Sequence, residues 1–448
     1  MTTINEQFLQ AHPKSAALHK RALAHFPNGV THDNRNMSPH PLYVTHGKGS
    51  RKWDVDGNEY IDWVTGHGSL LLGHSRPEVV KAVQDQMAKA SHPGASHEKE
   101  IEWAELIKEL IPSAEKIRFH SSGTEASLMA FRMVRAYSGK SKIIKFQGHF
   151  HGWHDGAAPG WANTVGITKG ATSDTIVLPP NNIDLVEKTI KEDKDVAAVI
   201  LEPTGAGMGF FPIAPSFLHQ LRKVTTDNNV ILIFDEVVQG FRASRNGTQG
   251  RYGVIPDMTL LAKILAGGLP GGAVTGRADI IDMLEFKDAE WNKTRRITHP
   301  GTFNGNPLSA AAGVAALSLI ANEPINETSE STARKLKSGL SQLLTTMEIP
   351  GCACGIGSTV QLHLGYGHEH AEEQGDEICT LDHDKIRAFN ATPVAGRLKI
   401  ALINAGVDTN KGVNLLVQSA HTDEDVAKTL SAYEQAFKEL RTENVLEF

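Results

Sequence analysis

Between residues 117 and 276 the chain alternates short, nearly continuous apolar runs with helical segments, and no other feature restricts its fold as strongly. The runs are IRFH (117–120), IIKFQ (143–147), VAAVILEP (196–203), VILIFDE (230–236), MTLLAK (258–263) and GGAVTG (271–276). Strands that are apolar on both faces and separated by helices predict an α/β domain with a mainly parallel sheet covered on both sides. The runs lead directly into polar or glycine-rich segments, among them HSSGTEA, GHFHGWHD, EPTGAGMG, DEVVQGFR and LAKILAGGLPGG. Ligands of such sheets sit beyond the carboxyl ends of the strands. These segments are therefore predicted to share one rim.

The flanks read differently. Residues 1–28 predict a lead-in helix, with Leu18, Ala22 and Phe26 at helical spacing before the breaker Pro27-Asn28-Gly29. From Pro41 to Trp63, the runs LYVTH, SRKWDV and EYIDW predict a small antiparallel meander. Beyond Asn322, an amphipathic stretch (328–346) and the run STVQLHLG predict a second, α+β lobe. The chain has 448 residues, enough for a large and a small domain. We expect residues 63–321 to form the large domain, and residues 1–62 and 322–448 to form the small one.

Composition excludes several classes of partner. Forty-five basic residues against 51 acidic ones give a net charge of −6, which provides no basic field for nucleic acid or an anionic membrane. No stretch reaches the roughly 18 apolar residues of a membrane span, and the opening residues lack the apolar core of a signal peptide. A cytoplasmic protein acting on small molecules is expected. The odd cysteine count, Cys352, Cys354 and Cys379, fits reduced structural thiols, and the spacing suggests no metal ligands.

Two residues suggest chemistry. Asp235 ends a strongly apolar run, where a carboxylate needs a cationic or hydrogen-bonded partner. The protonated pyridine nitrogen of pyridoxal 5′-phosphate is one such partner, and at about 3 Å with an effective dielectric near 20 the pair gains on the order of 5 kcal/mol before desolvation. Lys263 ends the next run, just before a flexible glycine-rich stretch. An apolar setting lowers the proton affinity of a lysine and favours the neutral amine that Schiff-base formation and proton transfer require. Either residue alone could equally be a helix cap or a solvated strand end.

The set as a whole is more specific. SSGTEA (121–126), EPTGAGMG (202–209), DEVVQGFR (235–242), the LAK to GGLPGG run (261–272) and PGTFNGNPL (300–308), in that order, resemble the class III aminotransferases over roughly Pro27 to Thr422. The resemblance implies a pyridoxal-phosphate fold of type I. Its large domain would hold a mainly parallel, seven-stranded sheet, and its smaller α+β domain would come from both chain ends. It also implies a homodimer with active sites shared across the interface. By the same resemblance Lys263 carries the cofactor as a Schiff base and Asp235 pairs with the pyridine nitrogen. Ser122, Gly123 and Thr124 form the phosphate loop, Phe150 and Val237 sandwich the ring, and Thr302 reaches the neighbouring subunit's phosphate.

The phosphate assignment has independent physical sense, since a strand running into a helix N-terminus favours an anion. The same residues also read as a capping box, Ser122 with Glu125. Glu202 reads either as a loop-fixing acid or as part of the cofactor surroundings.

Within the class, PNGVTHDNR and SAHTDEDV resemble the glutamate-1-semialdehyde aminomutase branch. Two positions depart from it: His67 stands where that branch has a tryptophan, and Val413 where it has an acid. DVDGNEYIDW, TGHGSLLLGH, FQGHFHGWHD, EPTGAGMGFFP and AGGLPGG are similar to the D-phenylglycine aminotransferase type. These likenesses imply a transaminase moving an amino group from an amino acid to a 2-oxo acid such as 2-oxoglutarate, with Arg35 gripping the substrate carboxylate and His67 beside it. An aminomutase or a β-amino acid or amine transaminase is the alternative.

Overall fold

The computed structural model describes residues 2–367, 370–390 and 393–446. The N-terminal stretch forms two helices, Ile4–Ala11 and Pro13–Ala22, instead of the single helix expected. Pro13 has no N–H with which to continue the first helix, and so it opens a second. The expected meander is present as β1 (Val44–Lys48), β2 (Arg51–Asp54) and β3 (Glu59–Asp62), paired antiparallel in sequence order.

The predicted α/β core follows. Its strands are β4 (Lys116–His120), β5 (Lys142–Phe146), β6 (Thr175–Leu178) and β7 (Val196–Leu201). After the two-residue β8 (Phe211–Pro212) come β9 (Ile231–Asp235), β10 (Met258–Ala262) and β11 (Gly272–Gly276). Seven of them form one sheet in the order β4-β11-β10-β9-β7-β5-β6. All neighbours pair in parallel except β11, which runs antiparallel to both β10 and β4. Edge strand β6 was not foreseen, because TIVL is only four residues long and lies between polar residues and a Pro-Pro pair.

Successive residues of each strand face opposite sides of the sheet, and the packing shows it. Ile231 and Ile233 join one core with Ala130 and Met133 of the helix Gly123–Ser138, whereas Leu232 and Phe234 join another with Phe217 and Leu221 of the helix Pro215–Asp227. Each such buried aliphatic or aromatic side chain contributes roughly 1.5–3 kcal/mol. Double-sided burial holds the sheet rigid and leaves only its ends for chemistry.

The C-terminal part supplies β12 (Gly351–Cys354), β13 (Thr359–Leu364), β14 (His370–Glu373), β15 (Asp376–Cys379), β16 (Val407–Asp408) and β17 (Asn414–Leu416). The amphipathic stretch is the helix Ile325–Thr346. The two chain ends meet in one core, where Ile4, Phe8 and Tyr60 pack with Leu336, Leu402 and Phe437. β16 adds in parallel to β3, and buried Lys52 bridges Asp62 at 2.8 Å and Asp408 at 2.7 Å. Two carboxylates around one buried ammonium offset its desolvation and fix the register of this join. Among the described residues, no single helix is long and apolar enough to cross a membrane.

Candidate active site

The strand ends bring the predicted residues to one rim. Asp235 is the last residue of β9 and lies opposite Leu260 of β10, so that Lys263 follows three residues on, just past the end of that strand. On the other side Leu201 pairs with Phe234, which brings Glu202 level with Asp235. β4 ends on the same rim, beyond β11, and opens through Ser122 into the helix Gly123–Ser138.

Lys263 has a positive φ of 56°, unusual for a side chain with a Cβ and costing about 1 kcal/mol. Its ammonium is pushed down to about 8, first by burial and further by the buried Arg242 guanidinium, against the opposing pull of Asp235 and Glu202. Among the described residues, no carboxylate pairs with Arg242. It donates to the carbonyl oxygens of Val417 at 2.7 Å and Gly68 at 3.2 Å and to the Ser358 hydroxyl at 3.2 Å, and so places a fixed positive charge near the lysine. A lysine held close to neutrality is suited to act as both nucleophile and base.

Asp235 is 6% exposed. Its Oδ1 accepts the Val237 N–H at 3.1 Å, and its Oδ2 meets His151 Nδ1 at 2.7 Å. Because an ionised carboxylate only accepts, this contact places the proton on His151 Nδ1. Burial holds the His151 imidazole below its usual proton affinity, and the contact keeps the Asp235 carboxylate oriented. His151 is not among the residues expected from the sequence. The signal available was an acid in need of a partner and a histidine beside Phe150.

Phe150 is held from behind. Its N–H donates to Glu202 Oε1 at 2.8 Å, while the Glu202 N–H donates to His149 Nδ1 at 2.9 Å. Glu202 therefore fixes the loop and also stands in the charge field of Lys263, so both of its readings describe it. Burial, and then the negative charge of Asp235, push its carboxyl up to about 8. The Phe150 ring is half-exposed and packs on Trp161 with centroids 4.5 Å apart. A second buried lysine, Lys145, lies behind this loop and donates to the Ala157 carbonyl; burial brings its ammonium down to about 8.

The start of the helix Gly123–Ser138 is packed from two sides. A Cβ on Gly123 would come within 2.9 Å of Val237, and one on Gly152 within 2.9 Å of the Thr124 Cα. The cap is real: Ser122 Oγ accepts the Glu125 N–H at 3.2 Å, although the Glu125 carboxylate reaches back to the Ser121 N–H at 2.6 Å and not to that of Ser122. First-turn N–H groups have no partners within a helix and attract anions.

Arg35 and His67 also come to this region. His67, at a φ of 55°, stacks on His32 with centroids 5.0 Å apart. Burial, then the charges of His32, Lys263 and Arg35, hold its imidazole down at about 4. The exposed Arg35 side chain donates to Thr31 Oγ1 at 3.1 Å. Val413 does not face the rim. It is 1% exposed, in the core shared by the chain ends, where an apolar side chain is required. Thr302 lies exposed in a turn.

A lysine of lowered proton affinity, an oriented carboxylate, an aromatic and a valine side chain, and a helix N-terminus constitute the donor set that pyridoxal 5′-phosphate requires. The Aminotransferase class-III family model matches residues 32–364. The chain is 37% identical over 431 residues to glutamate-1-semialdehyde 2,1-aminomutase 2 of Exiguobacterium sp. AT1b, covering 93% of this chain and 95% of that protein. An omega-transaminase from Sphaerobacter thermophilus superposes with a TM-score of 0.86 at 30% identity, covering 97% of this chain and 99% of that one. A beta-phenylalanine aminotransferase from Variovorax paradoxus superposes with a TM-score of 0.83 at 27% identity, covering 98% and 97%. A chain matched by this family model over most of its length, and related to such enzymes from end to end, belongs to the class III aminotransferases, enzymes of pyridoxal-phosphate fold type I that work with pyridoxal 5′-phosphate.

Proposed function

We propose that this enzyme is a transaminase for an α-amino acid with an aryl or other bulky apolar side chain, such as D-phenylglycine, with a 2-oxo acid such as 2-oxoglutarate as acceptor. The observation that carries the substrate class is the neutral His67 ring stacked on His32 beside the Arg35 guanidinium. Flat imidazole faces suit an aryl group, and an exposed guanidinium suits a carboxylate.

The cofactor supplies an electron sink for the electrons released at the substrate Cα. Lys263 would hold the cofactor through Nζ, and the same atom would carry the substrate Cα proton, as its lowered proton affinity allows. Asp235, oriented by His151, would pair with the pyridine nitrogen. Phe150 and Val237 would hold the ring, and Ser122, Gly123 and Thr124 would hold the phosphate, completed by the partner subunit's Thr302 in a homodimer. We assign residues 63–321 to the large domain, and 1–62 with 322–448 to the small one.

A second reading, glutamate-1-semialdehyde aminomutase, is favoured by the name of the 37% identical relative. A β-amino acid or amine transaminase is favoured by the names of the two structural neighbours. Catalytic efficiency for D- and L-phenylglycine, β-phenylalanine, 1-phenylethylamine and glutamate-1-semialdehyde separates these readings. The phenylglycines are expected to lead, and Arg35→Ala to lower efficiency for carboxylate-bearing donors about 30- to 1000-fold while sparing 1-phenylethylamine. Preference for the semialdehyde or the amine, or an Arg35→Ala variant that treats all donors alike, overturns the proposal.

A further inference from the structure

The chain has three cysteines, all of them buried, and they lie on two facing β-ribbons. In the β12–β13 ribbon Cys352 is directly opposite His363, and Cys354, two residues on, shares the face of Cys352. In the β14–β15 ribbon Cys379 is directly opposite His370. The ribbons meet at Cys379. Its ligand atom and those of Cys352 and His370 lie within 4.8 Å of one another, and so do those of Cys354, His363 and Cys379. Cys352 Sγ and Cys379 Sγ are 3.9 Å apart.

Buried thiols often serve only as small apolar groups, but the histidines do not fit that description. His363 is 4% exposed, and among the described residues neither of its ring nitrogens has a hydrogen-bond partner. A buried polar ring without a partner calls for a ligand. Nδ1 of His370 bonds the Glu377 carboxylate, which is how proteins orient an imidazole toward a metal. The sulfur separation also fits, because Zn–S bonds of about 2.3 Å give a tetrahedral edge of about 3.8 Å.

We propose that Cys352, Cys354, Cys379 and His363 bind one zinc ion in a closed tetrahedral site, with His370 and Glu377 at its edge. Each thiol releases its proton to solvent on binding, so that three thiolates, a neutral imidazole and Zn²⁺ carry a net charge of −1. Thiolates with imidazole select zinc, and a site without an open position is structural. The ion ties β15 to β12 and β13. The same hairpin holds the large sheet's surroundings through Asp376, which accepts from Arg251 Nε and from the Tyr252 hydroxyl, each at 2.7 Å. The site is thus a clamp where the C-terminal ribbons meet the cofactor-bearing part.

Tag-free holoenzyme from zinc-supplemented cells, analysed by plasma mass spectrometry, is expected to hold about one zinc per chain, with Cys379→Ser and His363→Ala falling below about a tenth of that. His370→Ala is expected to keep its zinc. Should either variant fail to fold, native thiol labelling of the parent decides, because the three cysteines should be protected until a chelator strips the metal. Cobalt(II) added to the stripped protein should give the red-region absorption of a tetrahedral thiolate site. A parent without zinc whose reduced thiols give no cobalt spectrum, a Cys352–Cys379 disulfide, iron with labile sulfide, or zinc retained in His363→Ala would each overturn the assignment.

Discussion

Asp235 and His151, 2.7 Å apart under the sheet's rim, illustrate how a strand end acquires a fixed geometry. With one oxygen on the Val237 N–H and the other on an imidazole, both oxygens of the carboxylate are held in place, as the proposed pairing with a cationic ring nitrogen requires. With the phosphate assigned by our proposal to the N-terminus of the helix Gly123–Ser138, electronics and anchoring should separate. Asp235→Asn is expected to lose about 10³-fold in turnover while keeping most of its affinity for the cofactor. Steady-state kinetics beside equilibrium dialysis checks this, and a rate within about tenfold of the parent would contradict it.

The loop after β5 and the strand end of β7 act as one element, because Glu202 accepts the Phe150 N–H and donates its own to His149. Glu202→Gln keeps an acceptor of the same shape, whereas Glu202→Ala leaves the Phe150 N–H unpaired and is expected to cost about 1–2 kcal/mol of stability. A pH signature follows as well. The folded apoprotein holds the Glu202 proton up to about pH 8, and the unfolded chain only to about 4.5. Between these values the folded state binds more protons, so this group makes stability fall as pH rises. Denaturant midpoints of the apoprotein should show that decline weakened in Glu202→Gln across the same window, and parallel profiles for parent and variant would refute the assignment.

At the scale of the molecule, the proposed site draws on a second chain. Thr302 lies in an exposed turn, and Leu128, Trp153, Trp161 and Val165, all substantially exposed, line one open groove near the Phe150 loop. Exposed apolar surface of this extent suits a subunit interface. Thr302→Ala is expected to weaken cofactor retention by about tenfold or more, as for the loss of a hydrogen bond to a charged group. Mixed dimers with Lys263→Ala test whose phosphate it reaches. If Thr302 serves the partner, one site of each mixed dimer keeps both residues and about half the parental activity returns. If it serves its own chain, no site is whole and every site that keeps Lys263 retains cofactor no better than Thr302→Ala alone.

How much of this was legible in the sequence depended on range. The double-sided apolar runs determined a buried, mainly parallel sheet, because strand burial is a local property of composition. The rim also followed, since each run leads straight into its polar segment, and with it came Asp235, Lys263 and the cap at Ser122. Resemblance added Phe150, Val237, Thr302, Arg35 and His67 as expectations. Contacts between distant segments were not legible. His151 reaches Asp235 across 84 residues, Arg242 finds its acceptors at Gly68 and Val417, and Cys352 meets Cys379 and two histidines only through strand register. Val413 is set in the core and not at the rim for the same reason. Periodicity and spacing are encoded by neighbours along the chain, whereas a polar group buried by tertiary packing acquires its partner, and its proton affinity, from whichever strands the fold brings beside it.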